Sequence, residues 1–222
     1  MPKKTKILFT EFVTHDVKRF ILSKPRDYNT VPGSSAQLSL QEPEWLGVKR
    51  PFTLTSLNDD LVLEFMIKRY DDHNGVTKRL HELESGTELL ISDPWDSFDF
   101  KGRGIFIAGG VGITPFLARM RDLHKKGELA GYSLIFSNKT ESDIIVEKEF
   151  RHMFKGMEKN LILTLTREKS DRYEQGRVDA KFIEKHISDF TQNFYVCGPR
   201  AMVNAVSEDL RDFGVESENL IF

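Results

Sequence analysis

An apolar run, Gly104-Ile105-Phe106-Ile107-Ala108, passes directly into Gly109-Gly110-Val111-Gly112-Ile113-Thr114-Pro115 and then into Phe116-Leu117-Ala118-Arg119-Met120. This order of strand, glycine turn and helix constrains the chain more than any other feature in it. Glycines let a backbone approach a ligand closely, Thr114 offers an oxygen to cap the helix, and Pro115 suits a first helical position. A helix that opens at such a turn presents free N–H groups and the positive end of its dipole to an anion, so the segment reads as a nucleotide-phosphate site. Alone, the less favoured reading is that it is no more than a tight turn.

A second apolar run ends the same way at Tyr195-Val196-Cys197-Gly198-Pro199-Arg200-Ala201-Met202. Strands are predicted at 104–108, 132–137, 160–166, 194–198 and 219–222, with helices near 115–126, 145–157, 179–187 and 199–213. Alternating strands and helices make a doubly wound, five-stranded parallel sheet with right-handed crossovers. In the order 3-2-1-4-5 the first and fourth strands are neighbours, so the two glycine loops should meet at the strand ends where such folds bind ligands.

The first hundred residues have a different grammar. Short β-rich runs, 6–13, 17–23, 36–40, 50–56, 61–68 and 88–92, are separated by glycine and proline, with one helical interruption from Thr77 to Leu83. Such spacing predicts a six-stranded antiparallel Greek-key barrel. The break falls near Phe100-Lys101-Gly102-Arg103, giving a barrel domain over 1–101 and an α/β domain over 102–222. Within the barrel, Arg50-Pro51-Phe52-Thr53-Leu54-Thr55-Ser56 joins a cation, a flat ring and a hydroxyl; period-two geometry puts Arg50, Phe52 and Leu54 on one face and Pro51, Thr53 and Thr55 on the other.

Arg50-x-Phe52-Thr53, the loop from Gly109 to Pro115, and Cys197-Gly198-Pro199 with Met202 resemble the three signatures of the ferredoxin-NADP reductase superfamily, in its order and at its separations. The resemblance covers nearly the whole chain and implies a flavoprotein that takes hydride from NADPH or NADH. It implies FAD rather than FMN, with Arg50 on the flavin phosphate, Phe52 in place of the usual tyrosine against the ring, Pro51 between them, and Thr53 in place of the usual serine near N5. Ile67-Lys68 and Gly75-Val76-Thr77 resemble the segment that completes the flavin-phosphate site. Gly109, Gly110, Gly112, Ile113, Thr114 and Pro115 would hold the dinucleotide pyrophosphate, while Cys197, Gly198, Pro199 and Met202 would shape the nicotinamide side. Thr53 and Cys197 are the two expected catalytic positions, and Thr166-Arg167, with Lys139, Lys169 and Arg172 nearby, resembles a 2′-phosphate site that favours NADPH. A guanidinium suits a phosphate and an aromatic ring suits the flat flavin, so these roles are chemically sensible. Asp93 and Asp96 depart from the family, which has glycines there.

Composition excludes several other classes. One cysteine permits neither a disulfide nor an iron–sulfur cluster within the chain, so electrons are expected to pass to a separate partner such as ferredoxin or flavodoxin. A net charge of −2 offers no electrostatic case for nucleic acid, and the six histidines, His15, His73, His81, His124, His152 and His186, lack metal-ligand spacing. No apolar run has the length of a membrane span and the first residues do not form a secretory signal, so a cytoplasmic monomer is expected. A non-catalytic flavin- or nucleotide-binding module that senses redox state keeps the same motifs and stands as the alternative.

Overall fold

Alternating apolar residues place one face of each early strand on a common core. In the computed structural model, which describes residues 2–72 and 74–222, these strands are β1 (Lys3–Phe12), β2 (Val17–Ser23), β3 (Ser35–Leu40), β4 (Lys49–Thr53), β5 (Val62–Lys68) and β6 (Glu88–Ile91). Their order is β4-β3-β6-β1-β2-β5, with every pairing antiparallel. After Thr53 the chain leaves β3 and crosses to β5 through a Leu54–Phe65 bridge and a Thr55 N–H bond to the Glu64 carbonyl (2.9 Å), which closes the sheet into a barrel. Ile7, Phe20, Leu38, Leu54, Leu63, Phe65 and Ile91 fill it, nearly all without solvent contact. Burial on this scale, at about 25 cal/mol per Å2 of apolar surface, is the main force holding the barrel shut.

Helix α1 (Val76–Glu82) covers one end of this core through Val76 and Leu80. The Lys18 ammonium donates to the His81 carbonyl (2.9 Å) and, more weakly, to that of Leu83 (3.5 Å), so a cation satisfies the carbonyls at the helix's C-terminal end. The buried His81 ring donates from Nε2 to the Ile67 carbonyl (2.7 Å), and its Nδ1 has no partner. Burial first, then repulsion from Lys18 and Arg69, holds the imidazole below its ordinary 6.5 in spite of the bond to Ile67. A histidine kept neutral in the fold gives its full stability above the unfolded value and loses it as pH falls from there through the folded value. The urea midpoint should therefore drop between about pH 7.5 and pH 5, with His186, also lowered by burial, adding to the slope. His81→Phe should flatten that slope; an undiminished slope in the variant would remove His81 as its source.

The chain divides into two units, one comprising the residues up to Ser97 together with Leu117–Asp122, the other Phe98–Phe116 with Leu123–Phe222. The second unit is a parallel sheet in the order β10-β9-β8-β7-β11-β12, built from β7 (Gly104–Gly109), β8 (Ser133–Asn138), β9 (Leu161–Leu165), β10 (Glu174–Gln175), β11 (Asn193–Cys197) and β12 (Leu220–Ile221). The expected 3-2-1-4-5 order is present, and β10 adds a sixth, two-residue strand beside β9, too short and polar to show a period. Helices α2 (Thr114–Lys126), α3 (Glu147–Met153), α4 (Ala180–His186) and α5 (Arg200–Asp212) link the strands. Ile105, Ile107, Ile135, Phe194 and Val196 form a continuous core with Phe182 and Ile183 of α4 and Val206 and Leu210 of α5. Among the described residues, no helix is long and apolar enough to cross a membrane.

Candidate functional site

Strand β4 lies at the end of the sheet order and shares its ladder only with β3, so it presents an open edge. Arg50 stands opposite Leu38 and is exposed, its Nη1 donating to the neighbouring Lys49 carbonyl (3.0 Å). Phe52 opposes the buried Ala36, packs partly on the barrel core and leaves the rest of its ring open. Thr53 faces the other way, opposite Ser35, with 3.5 Å between their hydroxyl oxygens. That contact is long and leaves the Thr53 hydroxyl free to take a better partner. A guanidinium, a half-open ring and an under-used hydroxyl along one edge fit a flavin phosphate, a flat ring system and a ring nitrogen.

The second expected flavin-phosphate segment is less open. Ile67 is in the core, and the Lys68 ammonium is paired with Asp16 at 2.6 Å, so neither offers a free side chain. Val76 is likewise buried, while Gly75 precedes α1 in extended conformation and no side chain caps the helix, leaving the main chain of Gly75-Val76-Thr77 as the available donor. A bidentate bond from Arg79 to Glu42 (2.7 and 2.6 Å) ties α1 to the segment before β4 and holds the Glu42 carboxyl below its usual range.

In the second unit the two glycine loops meet, as their strand positions require: Cys197 pairs with Ala108 on adjacent parallel strands. A side chain at Gly109 would lie 2.4 Å from Met202 Sδ, and one at Gly112 would lie 2.6 Å from the Cys197 carbonyl oxygen and the Gly198 main chain. Gly112 therefore serves the packing of loop on loop, and its missing side chain does not face outward toward a phosphate. Gly110 is the outward one: its φ is +53° and nothing lies within 4 Å of where a Cβ would point. Thr114 does not cap α2. A 3-10 turn over Gly110–Ile113 precedes the helix, Ile113 is the capping position, and the Thr114 hydroxyl bonds back to the Val111 carbonyl (3.1 Å). Ile113 is wholly buried, and Pro115 sits in the first turn. Neither α2 nor α5, which starts after Pro199, has a side-chain cap, so two helix N-termini open at the abutting loops.

Residues 106–208 match the oxidoreductase NAD-binding domain family. The NADH-cytochrome b5 reductase 2 of Mus musculus is 26% identical over 250 residues, covering 96% of this chain and 90% of its own. The flavohem-like FAD/NAD-binding domain of nitric oxide dioxygenase from Vibrio cholerae O1 biovar El Tor has the same fold, with a TM-score of 0.85 at 19% identity over 99% of this chain and 96% of that one. A ferredoxin NADP+ reductase from Neisseria gonorrhoeae, solved with FAD and NADP bound, gives a TM-score of 0.80 at 18% identity over 96% and 92% of the two chains. The matched domain, the relatives and the shared fold support the resemblance to the ferredoxin-NADP reductase superfamily.

The expected adenosine side of the nucleotide lies at the loop after β9. Thr166 bonds the Asn138 carbonyl through both N–H (2.9 Å) and hydroxyl (3.2 Å), and the Arg167 N–H bonds that of Lys139 (2.9 Å), so the loop is pinned to the end of β8. The exposed Arg167 is followed by Glu168, whose carboxylate accepts the Glu141 N–H (2.8 Å), and Arg172 is paired with Glu141 at 2.6 Å. Arg172 is thus committed to Glu141 of the turn after β8, and Glu168 shares the loop with the cation that was to hold a third phosphate. Burial pushes the Cys197 thiol up to about 11, so at neutral pH it is an uncharged thiol and no nucleophile. A wide groove of about 770 Å3 along β9 and β10, lined by Arg151, Glu174, Lys185 and His186 among others, lies away from the glycine loops in a region of mutually paired charge. His73 lies outside the described residues.

Sequence reasoning missed the partners of the flavin motif. Ser35 donates to Ser97 (2.9 Å), which donates to the Gly33 carbonyl (3.2 Å), so Thr53 heads a short row of hydroxyls. Thr55 is held by Glu64 and Arg121, which no local spacing connects to it.

Proposed function

We propose that this chain is an FAD-dependent NADH oxidoreductase that passes electrons to a separate one-electron haem protein of the cytochrome b5 type. The observation that carries this reading is the joint presence of Arg50, Phe52 and Thr53 on an open edge strand and of two uncapped helix N-termini at abutting glycine loops. Bound FAD would accept a hydride and release electrons singly, chemistry that no side chain supplies. The chain's own residues bind and orient: Arg50 engages phosphate, Phe52 lies against the flat ring, Thr53 bonds near the reacting nitrogen, and Gly110 with the start of α2 receives pyrophosphate. Cytochrome b5 replaces ferredoxin and flavodoxin as the acceptor because the curated relatives carry that name. NADH replaces NADPH for the same reason, supported by Glu168 beside Arg167 and by Glu141 of the turn after β8, which pairs with Arg172.

Thr53→Val keeps the shape and deletes the hydroxyl. A neutral hydrogen bond is worth about 1 kcal/mol net, so single-turnover reduction of the bound flavin by NADH should slow about 3- to 10-fold while the NADH dissociation constant stays within about twofold. Unchanged reduction would remove Thr53 from the reaction. A stable flavin spectrum with either nucleotide would instead favour the non-catalytic module.

A further inference from the structure

Glu64, on β5, is 8% exposed and carries an unusual set of bonds for a carboxylate inside a barrel wall. Its Oε1 accepts from the Thr55 hydroxyl (2.7 Å) and from Arg121 Nη1 (2.6 Å), and the same Nη1 donates to the Thr55 carbonyl (2.7 Å). The Thr55 N–H in turn bonds the Glu64 carbonyl (2.9 Å), and the Glu64 N–H bonds the Ser56 hydroxyl (3.0 Å). Arg19, paired with Glu11, approaches the other carboxylate oxygen at 3.8 Å. Every polar group of Thr55, a residue with no exposed surface, is therefore engaged by one glutamate and one arginine.

A pair so withdrawn from water is a poor device for stability alone, because desolvating both charges offsets most of their attraction, and apolar replacements are often as stable. Its place in the chain suggests another use. Thr55 lies two residues beyond Thr53, about 6 to 7 Å along the strand, at the point where the chain leaves β3 and crosses to β5. Strand β4 has a ladder on one side only, and beyond Thr53 its main chain is held by the Leu54 N–H bond to the Ser34 carbonyl (2.8 Å) and by the groups that hold Thr55. We propose that Glu64 and Arg121 are positioning residues that fix the main chain at Thr55 and through it set the Thr53 hydroxyl and the Phe52 ring against the flavin. This inference rests on the proposed flavin function.

The test compares wild type with Arg121→Lys and Thr55→Val. Lysine keeps the charge but replaces the planar fork with a mobile point donor, which cannot hold carbonyl and carboxylate together in the same way. In Arg121→Lys the protein should retain stoichiometric flavin, show an altered visible circular dichroism band for it, and lose about 10- to 100-fold in single-turnover reduction, as a displacement near 1 Å does, with NADH affinity within about twofold. Thr55→Val should change the same two readouts in the same direction by less, and it decides alone if Arg121→Lys does not fold. Wild-type dichroism and reduction rate in variants whose only change is a lower thermal midpoint would overturn the positioning role and leave the flavin function standing. A wild-type protein that binds no flavin would overturn the functional reading first, and this inference with it.

Discussion

Gly112→Val is expected to lower the thermal midpoint by about 6 to 12 °C and to abolish nucleotide binding with it. The first β carbon would meet the Cys197 carbonyl oxygen and the Gly198 nitrogen and α carbon at 2.6 Å, distances that only a shift of main chain can relieve. Overpacking of this kind costs about 3 kcal/mol, and each kcal/mol moves the midpoint of a chain this size by about 2 to 4 °C. Gly110→Ala makes the contrast. It has open space but needs a left-handed backbone, so it should cost only about 1 kcal/mol and yet weaken NADH binding if the loop receives pyrophosphate. Differential scanning fluorimetry and nucleotide titration of the two variants separate loop packing from ligand contact; a Gly112→Val protein of wild-type stability would refute the packing assignment.

Arg50→Ala should weaken FAD binding about 10- to 100-fold, since a hydrogen bond to a charged group contributes about 1.5 to 3 kcal/mol. The exposed guanidinium bonds its own neighbour's carbonyl and carries no load in the barrel core, so the thermal midpoint of the flavin-free protein should hardly move. Fluorescence titration of apoprotein with FAD gives the constant. Unchanged affinity would dissociate Arg50 from the phosphate, and Lys68, already paired with Asp16, is not available in its place.

Much of the fold is legible because its strongest signals are local. The apolar runs into Gly109 and Gly198 mark two strand ends, and period-two alternation marks the barrel strands to within a few residues. What escaped is what depends on neighbours distant in sequence. A glycine announces that a side chain is excluded but not by what: Gly112 is excluded by the other loop and Gly110 by its own backbone angle. Thr114 reads as a cap until a 3-10 turn moves the helix start past it. Arg167 and Arg172 read together as a phosphate site, although Glu141, some thirty residues earlier, takes one of them. The clamp of Glu64 and Arg121 on Thr55 joins residues that share no local pattern. That six residues of α2 group with the first compact unit likewise has no local signature in the sequence.

The most direct measurement is an anaerobic titration of the purified, flavin-loaded protein with NADH, followed in the visible spectrum and completed by adding oxidised cytochrome b5. Loss of the oxidised-flavin band within seconds, its return as the cytochrome becomes reduced, and a slower response to NADPH would agree with a reductase that binds FAD through Arg50, Phe52 and Thr53. A protein that holds no flavin, or one whose flavin spectrum stays unchanged with both nucleotides, would contradict it.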